Sequence, residues 1–231
     1  MKKYVLRSLV ICLLAVYSSC TKDDYKNDGG VSKAEVNMTT YDYLKSNPQF
    51  SELVKLIDKA GLKDVYNGNV TLFAVNNYGV DDWVSAKKEK KVVELNDENI
   101  TYTIDSVPVS QYKDSLLMYL FKGKITRDSM NTTGKLYTSL LGTIPNVSFE
   151  MKLRRDYSTY SGYLDYVDYV TFIKVRGSRD DEIADQSTIP EDSTDMSVDV
   201  QTSGIITTNG VIHVLSSSHR LFFNTEPLAD N

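Results

Sequence analysis

Between residues 38 and 62 apolar positions recur at helical intervals. Thr39 or Thr40 opens a short helix through Tyr41, Tyr43 and Leu44, and Asn47-Pro48 reads as a cap followed by a first-turn proline. Phe50, Leu53, Val54, Ile57 and Ala60 then lie at three- and four-residue spacing, which makes one apolar stripe, and Gly61 closes it. Residues 70–75 are a short run of β-branched and aromatic side chains between Asn67-Gly68-Asn69 and Asn76-Asn77, the pattern of a buried strand. The charge run 87–91 reads as a solvated helix end. Residues 111–121 are predicted helical, with Leu116, Leu117 and Leu120 facing inward and Gly123 beyond the end. Asn209-Gly210, set between Ile205-Ile206 and the run 211–215, is the strongest hairpin signal in the chain. Helices early and strands late predict an α+β fold.

The amino terminus follows a different logic. Lys2, Lys3 and Arg7 precede the apolar run 9–16, which ends in Ser18 and Ser19 directly before Cys20, so residues 1–19 read as a signal peptide. A membrane-spanning helix needs about 20 apolar residues, and Thr21-Lys22-Asp23-Asp24 cuts this run short. Small residues followed by cysteine resemble the lipobox of bacterial lipoproteins, with Tyr17 where an aliphatic residue is usual. That resemblance implies cleavage before Cys20 and a membrane partner through acylated Cys20. Lys22-Asp23-Asp24 resembles the lysine-then-acidic signal of lipoproteins exported to the Gram-negative cell surface, which would put the chain on the outer membrane. Residues 20–37, rich in Asp, Asn, Lys and Gly, read as a flexible tether.

Composition narrows the function. The 231 residues are 41% apolar and 25% charged with a formal net charge of −5, so a packed core must hold the fold. Loss of residues 1–19 removes three basic and no acidic side chains, leaving 23 basic against 31 acidic, a balance of −8. Such a surface repels nucleic acid. Cys12 leaves with the signal, so no thiol other than Cys20 remains for catalysis or metal binding.

Two blocks carry a family resemblance. Thr71-Leu72-Phe73-Ala74 and the run from Gly204 to Leu215, Gly-Ile-Ile-Thr-Thr-Asn-Gly-Val-Ile-His-Val-Leu, resemble the two signature blocks of fasciclin-like domains, and the run from Leu116 to Gly123 resembles the family's central block. The central block departs from the usual tyrosine-histidine pair, since Tyr119 is followed by Leu120. The resemblance implies a fasciclin-like domain over 38–223, in which short helices pack on a wedge of two small β-sheets. It also implies a non-enzymatic adhesion or binding module for an extracellular protein or glycan, with no cofactor. The stretch 152–201 reads as an insertion before the last hairpin, and 224–231 as a tail.

Within that stretch Tyr157, Tyr160, Tyr163, Tyr166 and Tyr169 recur at a three-residue step. A phenol offers a flat apolar face and a hydroxyl, which suits a sugar ring, so Tyr157, Tyr160 and Tyr163 are the candidate ligand-binding residues. A glycan-capturing accessory of a polysaccharide-utilisation system is the corresponding alternative function. A three-residue step in a strand would send successive rings to opposite faces, and the competing reading is a buried strand over 164–175 with Tyr166 and Tyr169 in the core. Asp180, Asp181, Glu182, Asp185, Glu191, Asp192 and Asp195 match no calcium-loop spacing and read as a mobile acidic loop. His213, inside an apolar run, reads as a hydrogen-bonded structural histidine. No GxSxG or HExxH motif is present, so neither a hydrolase nor a zinc site has positive support.

Overall fold

The computed structural model describes residues 34–224. The residues read as a signal peptide, Cys20 and the expected tether up to residue 33 lie outside the described residues, as do residues 225–231 of the expected tail. All elements below belong to the compact unit that begins at Glu35.

Local chemistry accounts for the helical start. Thr39 caps α1 (Thr40–Ser46), its hydroxyl accepting from the Asp42 N–H at 3.2 Å. Asn47 caps a single 3₁₀ turn (Pro48–Phe50), and α2 (Ser51–Ala60) buries Leu53, Val54, Leu56, Ile57 and Ala60 along one stripe. Gly61 then adopts φ 66°, a left-handed conformation that ends the helix and costs glycine little. The short α3 (Lys63–Tyr66) leads into β1 (Val70–Ala74), every residue of which is buried. Next comes α4 (Asn77–Leu95), which runs past the lysine cluster rather than ending in it. Lys87 is not on the solvated side. It is 8% exposed, with Nζ 3.2 Å from Gln111 Oε1 and 5.5 Å from the centre of the Trp83 ring.

The helix predicted over 111–121 is absent. Two 3₁₀ turns (Val109–Gln111 and Ser115–Tyr119) give way to β2 (Leu120–Lys122), which pairs antiparallel with β1 through Leu72↔Leu120. Leu116 and Leu120 are still fully buried. The apolar spacing is therefore informative about burial, while the open edge of β1 claims the last two residues, with Lys122, as a strand.

β3 (Lys135–Tyr137), β4 (Val147–Asp156), β5 (Val167–Arg176), β6 (Met196–Ile206) and β7 (Gly210–Leu215) complete the sheet. The expected wedge of two small sheets is corrected to one seven-stranded sheet in the order β2-β1-β7-β6-β5-β4-β3. β6 joins what would otherwise be two halves. Residues 196–199 pair with β5, residues 200–206 pair with β7, and register shifts around Thr202 turn the strand between its two partners. Beyond β3, Leu140 donates its N–H to the Leu120 carbonyl at 2.7 Å, and Ser139 bridges to Phe121, so the outer edges approach and the sheet nearly closes into a barrel.

The interior of this curve is aromatic. Phe73 stacks on Phe172 at 4.4 Å and Phe149 stacks on the same ring at 5.6 Å, with Phe121 edge-on to all three. These rings come from β1, β5, β4 and β2. Each pair contributes about 0.5–1.5 kcal/mol beyond the area it buries, so the stack fixes the curvature that brings four strands round one centre.

Of the stretch read as an insertion, residues 152–156, 167–176 and 196–201 belong to strands, and β5 lies in the middle of the core. Only two loops, 157–166 and 177–195, stand outside them. The acidic second loop is tied down rather than loose. Arg179 forms an ion pair with the buried Glu150 at 2.8 Å, and Asp180 and Asp195 each accept the other's backbone N–H, at 2.9 and 3.0 Å. Arg176 donates to the Thr194 carbonyl at 2.7 Å.

Candidate binding surfaces

The β4–β5 hairpin pairs without a break from Val147↔Arg176 to Asp156↔Val167. Its base is in the core, and its far end carries loop 157–166 into solvent. Asp156 organises the turn: its carboxylate accepts from the Ser158 N–H at 2.7 Å, the Ser158 hydroxyl at 2.8 Å and the Thr159 hydroxyl at 2.7 Å. Those donors, the Ser158 N–H foremost, hold its carboxyl well below the usual carboxylate range. Within the loop, Tyr163 and Leu164 both donate backbone N–H groups to the Tyr160 carbonyl, at 2.8 and 2.9 Å.

Tyr157, Tyr160 and Tyr163 all fall in this loop and are 65%, 52% and 92% exposed. The alternation argument does not apply to them because they are not in a strand. Nor does a buried strand begin at 164: β5 starts at Val167, Tyr166 is exposed and Tyr169 is half-buried. Two arginines explain those last two positions. The Arg155 guanidinium lies 3.6 Å from the Tyr166 ring centre and forks onto Asp168 at 2.8 and 2.9 Å, while Arg154 lies 5.0 Å from Tyr169. The bond to Asp168 holds the Arg155 guanidinium firmly protonated. Tyr157 meets Tyr166 edge to face at 6.1 Å. The result is a tip of exposed phenols braced from beneath by an arginine.

Both histidines serve the interior. His213 is fully buried, accepts at Nδ1 from the Gly204 N–H at 3.2 Å, and donates from Nε2 to the Ile125 carbonyl at 2.9 Å. Burial pushes its pKa down to about 4, only partly offset by the bond to Ile125. His219 Nε2 and the Tyr119 hydroxyl share a hydrogen bond at 2.9 Å, and that hydroxyl also accepts the Phe222 N–H at 2.8 Å. Burial lowers His219 to about 3. The Tyr119–His219–Phe222 clasp has no signature in the hydrophobic pattern, because Tyr119 is about a hundred residues from the other two.

A second concavity, of about 470 Å³, lies beside β6. One wall is the four consecutive residues 196–199, and the other comes from Ser216 and residues 218–220 after β7. Arg154 stands at its border and forks onto Asp199 at 2.6 and 3.2 Å, with Phe223 at its inner side. Behind Phe223 lies Lys174, buried and with its pKa lowered to about 8 by that burial. Among the described residues no group of three or more His, Cys, Asp or Glu is set to hold a metal ion, and no helix is long and apolar enough to cross a membrane.

No family model matches the chain, and no curated protein matches it. Among solved structures it is similar to a FAS1 domain pair from the insect cell adhesion molecule fasciclin I, with a TM-score of 0.48 at 14% identity. The likeness covers 80% of this chain and 51% of that one, so the chain spans about half the length of the neighbour.

Proposed function

We propose that this chain is a non-enzymatic fasciclin-like module of a Gram-negative cell envelope, anchored through acylated Cys20 and gripping an extracellular glycan or protein with the tip of the β4–β5 hairpin. The exposed Tyr157, Tyr160, Tyr163 and Tyr166 carry the reading. Rings that keep so much of their surface in water are available to a partner, and Arg155 beneath Tyr166 limits the freedom a ligand would have to remove. The family assignment rests on the two sequence blocks, which become neighbours: β1 and β7 pair in parallel from Val70↔Gly210 to Ala74↔Val214. The histidines, neutral and engaged in structural hydrogen bonds, support a binding role rather than acid–base chemistry.

Anchoring by Cys20 is read from the sequence and tested separately. Each buried CH₂ contributes only about 0.8 kcal/mol, so lasting attachment needs more than one acyl chain. Cells fed a clickable palmitate should label the unaltered chain and not a Cys20→Ala chain; label or membrane retention in the variant removes the anchor. For the tip, a glycan array probed with the parent and a Tyr157→Ala/Tyr160→Ala/Tyr163→Ala variant should show binding reduced by about tenfold for each ring that stacks on the sugar. Undiminished binding by the triple variant removes the tip from the site.

A further inference from the structure

The segment after β7 is folded in a way its residue types resist. Phe222 and Phe223 stand at φ 64° and 57°, in the left-handed region, where a bulky side chain crowds its own backbone. Asn96 and Asn146, the other non-glycine residues of positive φ among those described, are of the type that takes this conformation readily. Phenylalanine is not, and here two stand in succession. A bulky residue persists there only where its surroundings over-determine the geometry, and the rings supply those surroundings. Both phenylalanines are almost fully buried. The Phe222 ring meets Trp83 of α4 edge to face at 5.3 Å, and the Phe223 ring packs on His219, Phe172 and Tyr119 at 4.6, 5.6 and 6.2 Å.

The backbone of this segment is held by a side chain rather than by the sheet. Among the described residues no strand pairs with Leu221–Asn224. Phe223 donates its N–H to the Arg220 carbonyl at 3.1 Å within the turn, and Phe222 donates to the Tyr119 hydroxyl at 2.8 Å, the same hydroxyl that shares a hydrogen bond with His219. β5 differs on each count: it is paired on both sides over residues 171–174 and contains no residue of positive φ. Backbone strain at Phe222 and Phe223 offsets a large part of what burial of their rings contributes, an offset that β5 does not carry. Local opening free energies run from near zero up to that of the whole fold, and this segment falls low on that scale.

Its position gives opening a consequence. Phe223 lines the cleft beside β6, and the same ring packs over Phe172 and Tyr119. Phe222 packs against Trp83, which is 3% exposed and is the one tryptophan of the chain. We propose that residues 221–224 form a strained plug that swings out as a unit while the seven-stranded sheet stays folded, joining the cleft to the aromatic interior and laying Trp83 open to solvent. The plug is a conformational device of the fold, and it stands or falls apart from the tyrosine tip.

The test uses the full chain, with acrylamide and the dye 1-anilinonaphthalene-8-sulfonate as probes. In a urea series Trp83 emission should shift, and become open to acrylamide quenching, at a lower concentration than that at which far-ultraviolet circular dichroism reports loss of the fold. In the interval between the two transitions the dye should brighten. Without urea the Phe222 and Phe223 amides should exchange about a hundredfold or more faster than the slowest amides of β5. Tyr119→Phe keeps the ring and removes the hydroxyl that accepts the Phe222 N–H. It should speed Phe222 exchange about tenfold and move the Trp83 transition to lower urea, leaving the circular-dichroism transition in place because the lost bond is already broken there. Should that variant not fold, the two transitions and the exchange rates of the parent chain decide the matter. Coincident transitions in the parent, or Phe222 exchange as slow as that of β5, overturn the plug. An early Trp83 shift with Phe222 still protected assigns the opening to α4 instead, and an early shift without dye binding overturns the joining of cleft and interior. Equal displacement of both transitions in Tyr119→Phe shows that segment and sheet open together, which also overturns it.

Discussion

At the base of the β4–β5 hairpin, Phe149, Met151, Val170 and Phe172 are almost wholly buried, whereas at its far end Tyr157, Tyr160 and Tyr163 stand mostly in water. The two ends are built from one uninterrupted ladder. What changes along it is the neighbour: the base pairs with β3 and β6 and packs against rings from β1 and β2, and the tip pairs with no strand. The hairpin therefore behaves as a beam clamped at one end. Substitutions at the clamp should be felt throughout the fold, and substitutions at the tip should be felt only by what the tip touches.

The largest expected effect is at the clamp. Phe172 is 0% exposed and its ring packs against those of Phe73, Phe121, Phe149, Tyr119 and Phe223. Phe172→Ala removes the ring on which two stacks converge and leaves a cavity that the surrounding strands cannot close. Urea denaturation should show a drop of about 3–5 kcal/mol. A drop under about 1 kcal/mol would mean that the stack is not what holds β1, β4 and β5 together.

The next effect is a pH dependence centred on the two buried histidines. Burial lowers His213 from 6.5 to about 4 and His219 to about 3. A base with a lowered folded-state pKa resists protonation in the fold but not in the unfolded chain, so below pH 6.5 the unfolded chain takes up more protons. Stability is then complete above pH 6.5 and declines as pH falls, down to about 4 for His213 and about 3 for His219. Each contributes a slope of up to about 1.4 kcal/mol per pH unit in that window. Denaturation curves at pH 7, 6 and 5 should show that decline, and His219→Gln should flatten it by about half whatever its effect at pH 7. An unchanged slope in the variant would mean that His219 is not excluded from protonation in the fold.

What can be read from the sequence divides along the same line between local and distant interactions. The Thr39 and Asn47 caps, the Gly61 stop, the stripe from Leu53 to Ala60 and the buried β1 are all legible, because each depends on residues within one or two turns. The continuity of the sheet is not. It depends on β6 changing partners around Thr202, and the apolar pattern of a strand does not say which strand lies beside it. The helical reading of β2 fails for the same reason: Leu116 and Leu120 fit either period, and only the free edge of β1 decides. Among the candidate residues, Tyr157, Tyr160 and Tyr163 stand out by type, yet their shared position at a tip requires knowing that β5 begins at Val167. The cleft beside β6 is illegible altogether, since its walls are separated in sequence and each by itself is an ordinary strand end or loop.

The smallest expected effect is the sharpest check on the beam picture. Tyr163 is 92% exposed, so Tyr163→Ala should shift folding stability by no more than about 0.5 kcal/mol, the range of ordinary surface substitutions. Its urea curve should overlay that of the parent while Phe172→Ala moves far to lower denaturant. Under the proposed function the same variant should bind a glycan or protein partner more weakly, because a ring that does nothing for the fold is free to work on a partner. If instead Tyr163→Ala lowered stability by about 2 kcal/mol, a size reached by fully burying a large apolar side chain, the loop would be folded back onto the sheet in solution. The tip would then be part of the clamp, and the division between a structural base and a binding end would fail.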